Sequence, residues 1–195
     1  MGVKLVSASG GSVEINPPAT ASSFTATMPA GTGNVVVAGI NSAITAATAQ
    51  ASTSGTSIDF TGIPSWVKRI TVMFVGTSLS GTSSILVQLG NGSFVTTGYT
   101  AIGNGNNSTG TGNVYSTSGF PVYLGAAAAT AIGSLTICLF TGNTWVSSHS
   151  MFSSSTTTAA GGGAIALGGT LDRVRITTVN GTDTFDAGSI NILYE

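Results

Sequence analysis

Apolar and polar residues alternate along much of this chain with a period of two, which is the pattern of half-buried β-strands. From residue 57 onwards, short alternating segments are separated by turns rich in Gly, Asn and Ser, at a spacing of roughly eight to twelve residues. The predicted strands lie at 57–60, 67–75, 84–89, 94–99, 122–124, 135–140, 145–147, 165–167, 174–179 and 189–194. This pattern predicts an all-β fold, with an antiparallel β-sandwich of jelly-roll type over residues 57–195.

Four segments within this domain carry more specific signals. Residues 67–75 are apolar at both alternating sets of positions, so they are predicted to form a central strand. Asn91-Gly92 predicts a tight hairpin, because this dipeptide readily adopts the positive φ angles of a type I′ turn. Residues 103–112 contain only Gly, Asn, Ser and Thr, which is typical of a polar loop. The Gly-rich stretch 160–164 lacks the Lys of a phosphate-binding loop and is interpreted as a flexible loop.

Residues 1–40 read as a separate N-terminal β module. Three short strands are predicted there, at 12–16, 24–28 and 35–37, and Pro17-Pro18 ends the first of them. Three strands of this length cannot bury a core by themselves. The module is therefore predicted to trimerise, so that copies from two further chains supply the missing partners. Residues 41–56 are dominated by small side chains and are interpreted as a linker. The Ala content of 44–50 would allow a short helix, but the interleaved Ser and Thr disfavour it.

Charged residues make up only 6% of the 195 residues, against roughly 25% in an ordinary soluble domain. The five basic residues are spread from Lys4 to Arg175 and cannot form the basic stripe that nucleic acid requires. The longest apolar segment, 126–140, is too short and too interrupted to span a bilayer. This composition excludes nucleic acid as a partner, predicts no membrane insertion and favours an oligomeric structural protein over an enzyme.

The side chains that could carry chemistry are few. His149 and Cys138 are the single histidine and the single cysteine, so no metal site of these ligands is expected. His149 is interpreted as a surface or hydrogen-bonded polar residue, and Cys138 as a buried thiol. Asp183 and Asp186 could form an acid pair or a weak calcium site, although a turn stabilised by Asp side chains fits their spacing better. We therefore predict no catalytic residues, no cofactor and no metal.

Two further predictions concern recognition and packing. The segment 103–112 and the tyrosine that follows it form the best candidate for a recognition surface, because exposed aromatic rings stack on sugars. The candidate residues of this loop are Asn104, Asn106, Asn107 and Tyr115. Both tryptophans, Trp66 and Trp145, are predicted to lie in the core instead.

Two stretches resemble the small β domain of tailed-bacteriophage virion proteins, a group that includes tail fibres. Residues 57–74 read SIDFTGIPSWVKRITVMF, and residues 171–195 read LDRVRITTVNGTDTFDAGSINILYE. The pattern Gly10–Val13, Pro17–Thr20, Met28–Ala30 and Gly33 is similar to short modules of phage fibre proteins. The resemblance implies a homotrimer on the virion, on its tail or its capsid surface, and gives no catalytic residue to carry over.

The prediction that follows is a homotrimeric, fibre-like structural protein of a tailed-phage virion. It would attach to another virion protein through residues 1–40 and contact the host surface, with a surface glycan as one possible partner. A capsid decoration protein that stabilises the head is the alternative, and a polysaccharide-binding or depolymerase module is an alternative of another class. The rare charges in the familiar stretches are predicted to pair with one another or across the trimer. They are Lys68, Arg69, Asp172, Arg173 and Arg175.

Overall fold

The computed structural model describes residues 3–6, 10, 12–15, 44–107, 110–153 and 157–195. The chain divides into two compact units, Met1–Val35 and Val36–Glu195. In the described part of the first unit, strands β1 (Val3–Val6) and β2 (Ser12–Ile15) pair antiparallel. The strands expected at 24–28 and 35–37 lie outside the described residues, as does the start of the expected linker.

The second unit is built from β-strands throughout its described residues. Its first strands are β3 (Thr45–Ala46), β4 (Gln50–Ala51), β5 (Ile58–Thr61), β6 (Arg69–Leu79), β7 (Ile85–Asn91), β8 (Ser93–Phe94) and β9 (Thr100–Asn107). They are followed by β10 (Gly110–Ser116), β11 (Phe120–Val122), β12 (Ala131–Thr141), β13 (Thr144–Ser153), β14 (Thr158–Ala166), β15 (Arg173–Thr178) and β16 (Phe185–Tyr194). The predicted all-β class is confirmed for this part of the chain.

These strands form two antiparallel sheets. Over the described residues, the larger sheet has nine strands in the order β10-β9-β14-β13-β12-β6-β16-β3, with β4 also paired to β16. The smaller sheet has five strands in the order β11-β7-β15-β5, with β8 paired to β7. Strand β6 lies between β12 and β16, so the prediction of a central strand at 67–75 is confirmed.

The pairing between strands is nested. Strand β5 pairs with β15, β6 with β12, β7 with β11, and β9 with β10, all antiparallel. Successive pairs in this series belong alternately to the small and the large sheet. The hairpin of β13 and β14 is inserted between β12 and β9, and β16 extends the large sheet on the other side of β6. Strands β5 to β15 therefore follow the path of one long antiparallel hairpin that is folded over into two sheets. The β13–β14 pair and strand β16 are additions to it.

Apolar side chains from both sheets meet in one buried cluster. The large sheet contributes Ile70, Val72 and Phe74 from β6, whose alternate residues point inward because side chains of a strand alternate between its faces. Val87 and Leu89 of the small sheet are fully buried opposite them. Each such side chain contributes about 1.5–3 kcal/mol by leaving water. The arrangement is sandwich-like, with the core between the two sheets.

Tyr99 contacts residues of the small sheet from the start of β9. Its ring meets that of Phe120 edge-on at 5.1 Å, and its hydroxyl accepts a hydrogen bond from the Leu89 amide at 2.7 Å. Burial raises the pKa of Tyr99 to about 12, so the hydroxyl stays protonated throughout the physiological range. The residue thus fixes the start of β9 against β7.

Three local predictions were wrong. Residues 103–107 lie in β9, residues 110–112 lie in β10, and Gly161–Gly163 lie inside β14, where a loop was expected in each case. Residues 44–50, interpreted as part of a linker, contain β3 and the start of β4. In all three segments the side chains are small, so the sheet is stabilised by backbone pairing and close packing, and hydrophobic periodicity gives no signal. The ring of Tyr123, for example, occupies the space that a Cβ atom would need at Gly105 and Gly112.

Candidate recognition and interface surfaces

The candidate recognition residues lie on the β9–β10 hairpin at one edge of the large sheet. Asn104 faces Asn113 across the pair, and Tyr115 faces Ile102. Tyr115 is 78% exposed, Asn106 is exposed, and the buried Oδ1 atom of Asn104 has no hydrogen-bond partner among the described residues. Asn107 ends strand β9. The four residues therefore belong to a paired edge, and Tyr115 is the one large aromatic side chain that this edge exposes in the described structure.

The structure places the rare charges in three ion pairs across its described residues. Arg173 donates to its neighbour Asp172 at 2.7 and 3.1 Å, and the Arg173 hydrogen bond lowers the pKa of the Asp172 carboxyl. Arg175 binds Asp59 through two hydrogen bonds of 2.8 Å, and Arg69 pairs with Glu195. Of the five residues singled out in the sequence, only Asp172 and Arg173 pair with each other.

Lys68 is joined to the chain end through its backbone. Its amide donates to the Glu195 carbonyl at 2.7 Å, and its own carbonyl accepts a hydrogen bond from Leu139 at 2.8 Å. The partners Asp59 and Glu195 were missed because they lie far from Arg175 and Arg69 in the sequence, and only the strand pairing brings them close. The β5–β15 register, which sets Arg175 opposite Asp59, is the signal that would have revealed one of them.

Arg175 is also held from above by an aromatic ring. Its guanidinium carbon lies 4.1 Å from the centroid of the Phe94 ring, close enough for a cation–π interaction. Hydrogen bonding to Asp59 raises the pKa of Arg175. A planar guanidinium can stack its face on an aromatic ring while its edge donates hydrogen bonds to both oxygens of a carboxylate. The ammonium group of Lys cannot do both.

Arg175→Lys is expected to lower the free energy of unfolding by about 1 kcal/mol, since both side chains of the pair are partly exposed and solvent screens them. Urea denaturation at fixed protein concentration measures the change. Arg69→Lys is the matched control, because the Arg69 side chain is 53% exposed and its exchange should have little effect. Equal losses in the two variants would show that stacking on Phe94 contributes nothing.

A row of polar side chains points inward from strand β13. Trp145, Ser147 and His149 occupy alternate positions and are 3%, 9% and 8% exposed. The Trp145 Nε1, the Ser147 Oγ and both ring nitrogens of His149 lack a hydrogen-bond partner within the described part of the chain. Trp145 lies in the core as predicted. The prediction for His149 was wrong, because β13 continues to Ser153 and its alternation turns His149 inward.

Burial lowers the pKa of His149 to about 4. A charged imidazolium would lose its hydration there without gaining a partner, which is the physical reason for the shift. His149 stands opposite Leu135 on β12 and Gly161 on β14, and the His149 Cε1 lies only 2.6 Å from where a Gly161 Cβ would be. Neutral His149 is thus packed tightly against the backbone of β14.

The outward face of the large sheet carries exposed apolar side chains in a cross-strand row. Phe152 of β13 faces Ile132 of β12, and Ile132 faces Val75 of β6. Their exposed fractions are 42%, 46% and 64%. Nothing in the sequence indicated this row, since its residues lie far apart in the chain.

Two predictions of burial were wrong. Trp66, which was expected in the core, is 48% exposed beside Tyr194. Cys138, which was expected to be a buried thiol, is half-buried.

Two open clefts lie elsewhere on the surface. One, of about 410 Å³, is lined by residues that include Gln50, Asp59 and Tyr194 at the edge where β4 and β16 approach β5. The other, of about 500 Å³, includes Ser83, Tyr123 and Asn180. Near the second, the Asp183 carboxylate accepts hydrogen bonds from Asn180 at 2.8 Å and Ser83 at 3.0 Å, and these lower its pKa.

Asp183 and Asp186 have different partners. Asp186 accepts a hydrogen bond from the Ser78 hydroxyl, so the two carboxylates are held by separate groups. Within the described residues, no group of three or more His, Cys, Asp or Glu side chains is arranged to hold a metal ion. Among the same residues, no helix is long and apolar enough to cross a membrane.

No family model, curated protein or solved structure matches this chain at a significant level.

Proposed function

We propose that this protein is a structural protein of a tailed-phage virion, a homotrimeric fibre-like appendage. The observation that carries the proposal is a large antiparallel sheet whose outward face has apolar and small polar side chains where a soluble monomer usually has charges. The resemblance of residues 57–74 and 171–195 to phage virion β domains supports the same assignment.

The proposed fold of residues 57–195 is a jelly roll. A jelly roll is a long antiparallel hairpin wound into two sheets, so its strand pairs are nested and alternate between the sheets. The series β5–β15, β6–β12, β7–β11 and β9–β10 has this order and this alternation. In this interpretation the β13–β14 hairpin and β16 are additions that widen one of the two sheets.

Residues 1–40 are proposed to trimerise the chain and attach it to another virion protein. The described β1–β2 pair supports this role because antiparallel strands of this kind can be extended by strands of other chains. The sandwich-like unit would then project, and Tyr115 on the β9–β10 edge would be available to stack on a sugar of the host surface.

Labelling of purified particles tests the assignment. Antibodies against this chain, applied to particles of the tailed phage whose genome encodes it, are expected to bind the tail in electron micrographs. Quantitative mass spectrometry of the same particles is expected to give a copy number of a few dozen at most, in multiples of three. Absence of the chain from purified particles would refute the virion proposal.

A capsid decoration protein is the second candidate. The observation that favours it is again the β1–β2 pair, whose outer edges are unpaired among the described residues and could add to a strand of a coat protein. The same labelling discriminates between the two, because a decoration protein would cover the head in hundreds of copies. Its removal should also lower the temperature at which heads release DNA.

A further inference from the structure

We infer that the outward face of the large sheet, between strands β14 and β16, is the surface on which copies of this chain pack against one another. The inference rests on the proposed homo-oligomer and deepens it by naming the contact surface. It is called the open face below, and a row of Val75, Ile132 and Phe152 crosses its three middle strands, near the start of β12 and the end of β13.

The open face has ordered rows of side chains. One row is apolar and consists of Val75, Ile132 and Phe152. A second row, about two pleats away, consists of Thr71, Thr136 and Ser148. Opposite residues of neighbouring antiparallel strands stand about 5 Å apart, so the apolar row is continuous over three strands. A continuous row can interdigitate with a second sheet, as the inner faces of a sandwich do.

The lack of charged side chains in the middle of the open face favours another copy of this chain as its partner. Its charged groups among the described residues are at the margins, where Arg69 is paired with Glu195 and Asp186 binds Ser78. In a cyclic trimer, the residues nearest the threefold axis meet their equivalents from the other two copies. Like charges at the centre would then repel, and this face has none to bring together. A partner recognised by charge complementarity would find no complementary group there.

The size of the open face also fits a stable contact. Five strands at the usual spacing cover roughly 24 Å, and strands of about ten residues extend roughly 33 Å. The product, roughly 800 Å², equals the area that each partner contributes to a standard protein interface. Phe152, Ile132 and Val75 on its three middle strands are the kind of apolar anchors that interfaces bury.

Sedimentation velocity of the full chain tests the inference. The wild-type chain is expected to sediment as an oligomer of its 19.2 kDa protomer. The double variant Val75→Lys, Ile132→Lys sets two charges on the open face and is expected to weaken association by roughly a hundred-fold or more, so that it dissociates at protein concentrations at which the wild-type chain is still oligomeric. The matched control Thr82→Lys, Val179→Lys adds the same charge at exposed positions outside the face and should stay oligomeric.

Circular dichroism shows whether the variants keep their β structure. If the lysine variant does not fold, the double variant Val75→Thr, Ile132→Thr takes its place, since β-branched Thr retains strand propensity. A folded lysine variant that dissociates at the same protein concentration as the wild-type chain overturns the inference alone. A wild-type chain that is monomeric at every concentration overturns both the inference and the proposed homotrimer. The presence of the chain on particles is decided separately by the labelling experiment.

Discussion

Gly188→Ala is expected to destabilise the protein by about 3 kcal/mol or more, because backbone strain and overpacking act together. Gly188 lies in the irregular part of the β16–β6 pairing and has φ +88°, a left-handed conformation that L residues rarely adopt. A Cβ at this position would also collide with the carbonyl group of Gly76 and lie 2.6 Å from the Thr77 amide nitrogen. These are backbone atoms of a central strand, so they cannot move aside as a flexible side chain would.

Gly76→Ala is the control for this substitution. Gly76 has φ +64° in the same irregular segment, but a Cβ there would meet nothing within 4 Å. It should therefore cost about 1 kcal/mol, which is the conformational strain without the collision. Guanidinium denaturation of the two variants and the wild-type chain, at one protein concentration, separates the two effects. Equal losses of stability in Gly188→Ala and Gly76→Ala would mean that β6 and β16 can move apart here to fit the Cβ atom without further destabilisation.

A loss of stability between pH 6.5 and pH 4 is the second large effect, and His149 is its cause. The unfolded histidine takes up a proton near its ordinary pKa of 6.5, whereas the buried one stays neutral until about pH 4. Between these values the unfolded state binds more protons, so stability falls as the pH is lowered and levels off below the folded pKa. A shift of this size amounts to about 3 kcal/mol at most.

The variant His149→Leu separates this effect from that of the carboxylates. The pKa values of Asp172 and Asp183 are lowered in the folded chain, so protonation of these carboxylates also destabilises the protein. This loss begins only as the pH approaches and passes their ordinary pKa of 3.8. Urea denaturation at a series of pH values should show a steep decline for the wild-type chain and a nearly flat curve for His149→Leu down to about pH 4.5. If the stability of the two proteins fell with pH in parallel, a group other than His149 would be responsible for the loss.

Hydrophobic periodicity predicted the strands that have large apolar side chains on at least one face. Residues 67–75 and 174–179 are examples, and both lie in interior strands of the two sheets. It failed at 103–107 and 161–163, where glycines allow close packing and leave no apolar signal. Strand β13 was predicted to end at Ser147, and this early end is why His149 was assigned to the surface.

Contacts between distant strands could not be predicted from the sequence. The pairs Arg175–Asp59 and Arg69–Glu195, and the row of Val75, Ile132 and Phe152, depend on which strands are neighbours and in which register. A shift of one residue would turn each strand's side chains to the opposite face. The residue pattern within a strand predicts which side chains share a face. Which strand lies next to it, and in which register, depends on the whole sheet.

The nested strand pairs also determine how slowly the chain can fold. Among the four nested pairs, only β9 and β10 are close in sequence, whereas the outermost pair brings together Asp59 and Arg175, which are 116 residues apart. Closing the inner hairpin first shortens the loop that each outer pair must close, so assembly should proceed from β9–β10 outward. Because most contacts are non-local, folding should take milliseconds to seconds. During synthesis, β5 and β6 must wait for most of the domain before their partners exist.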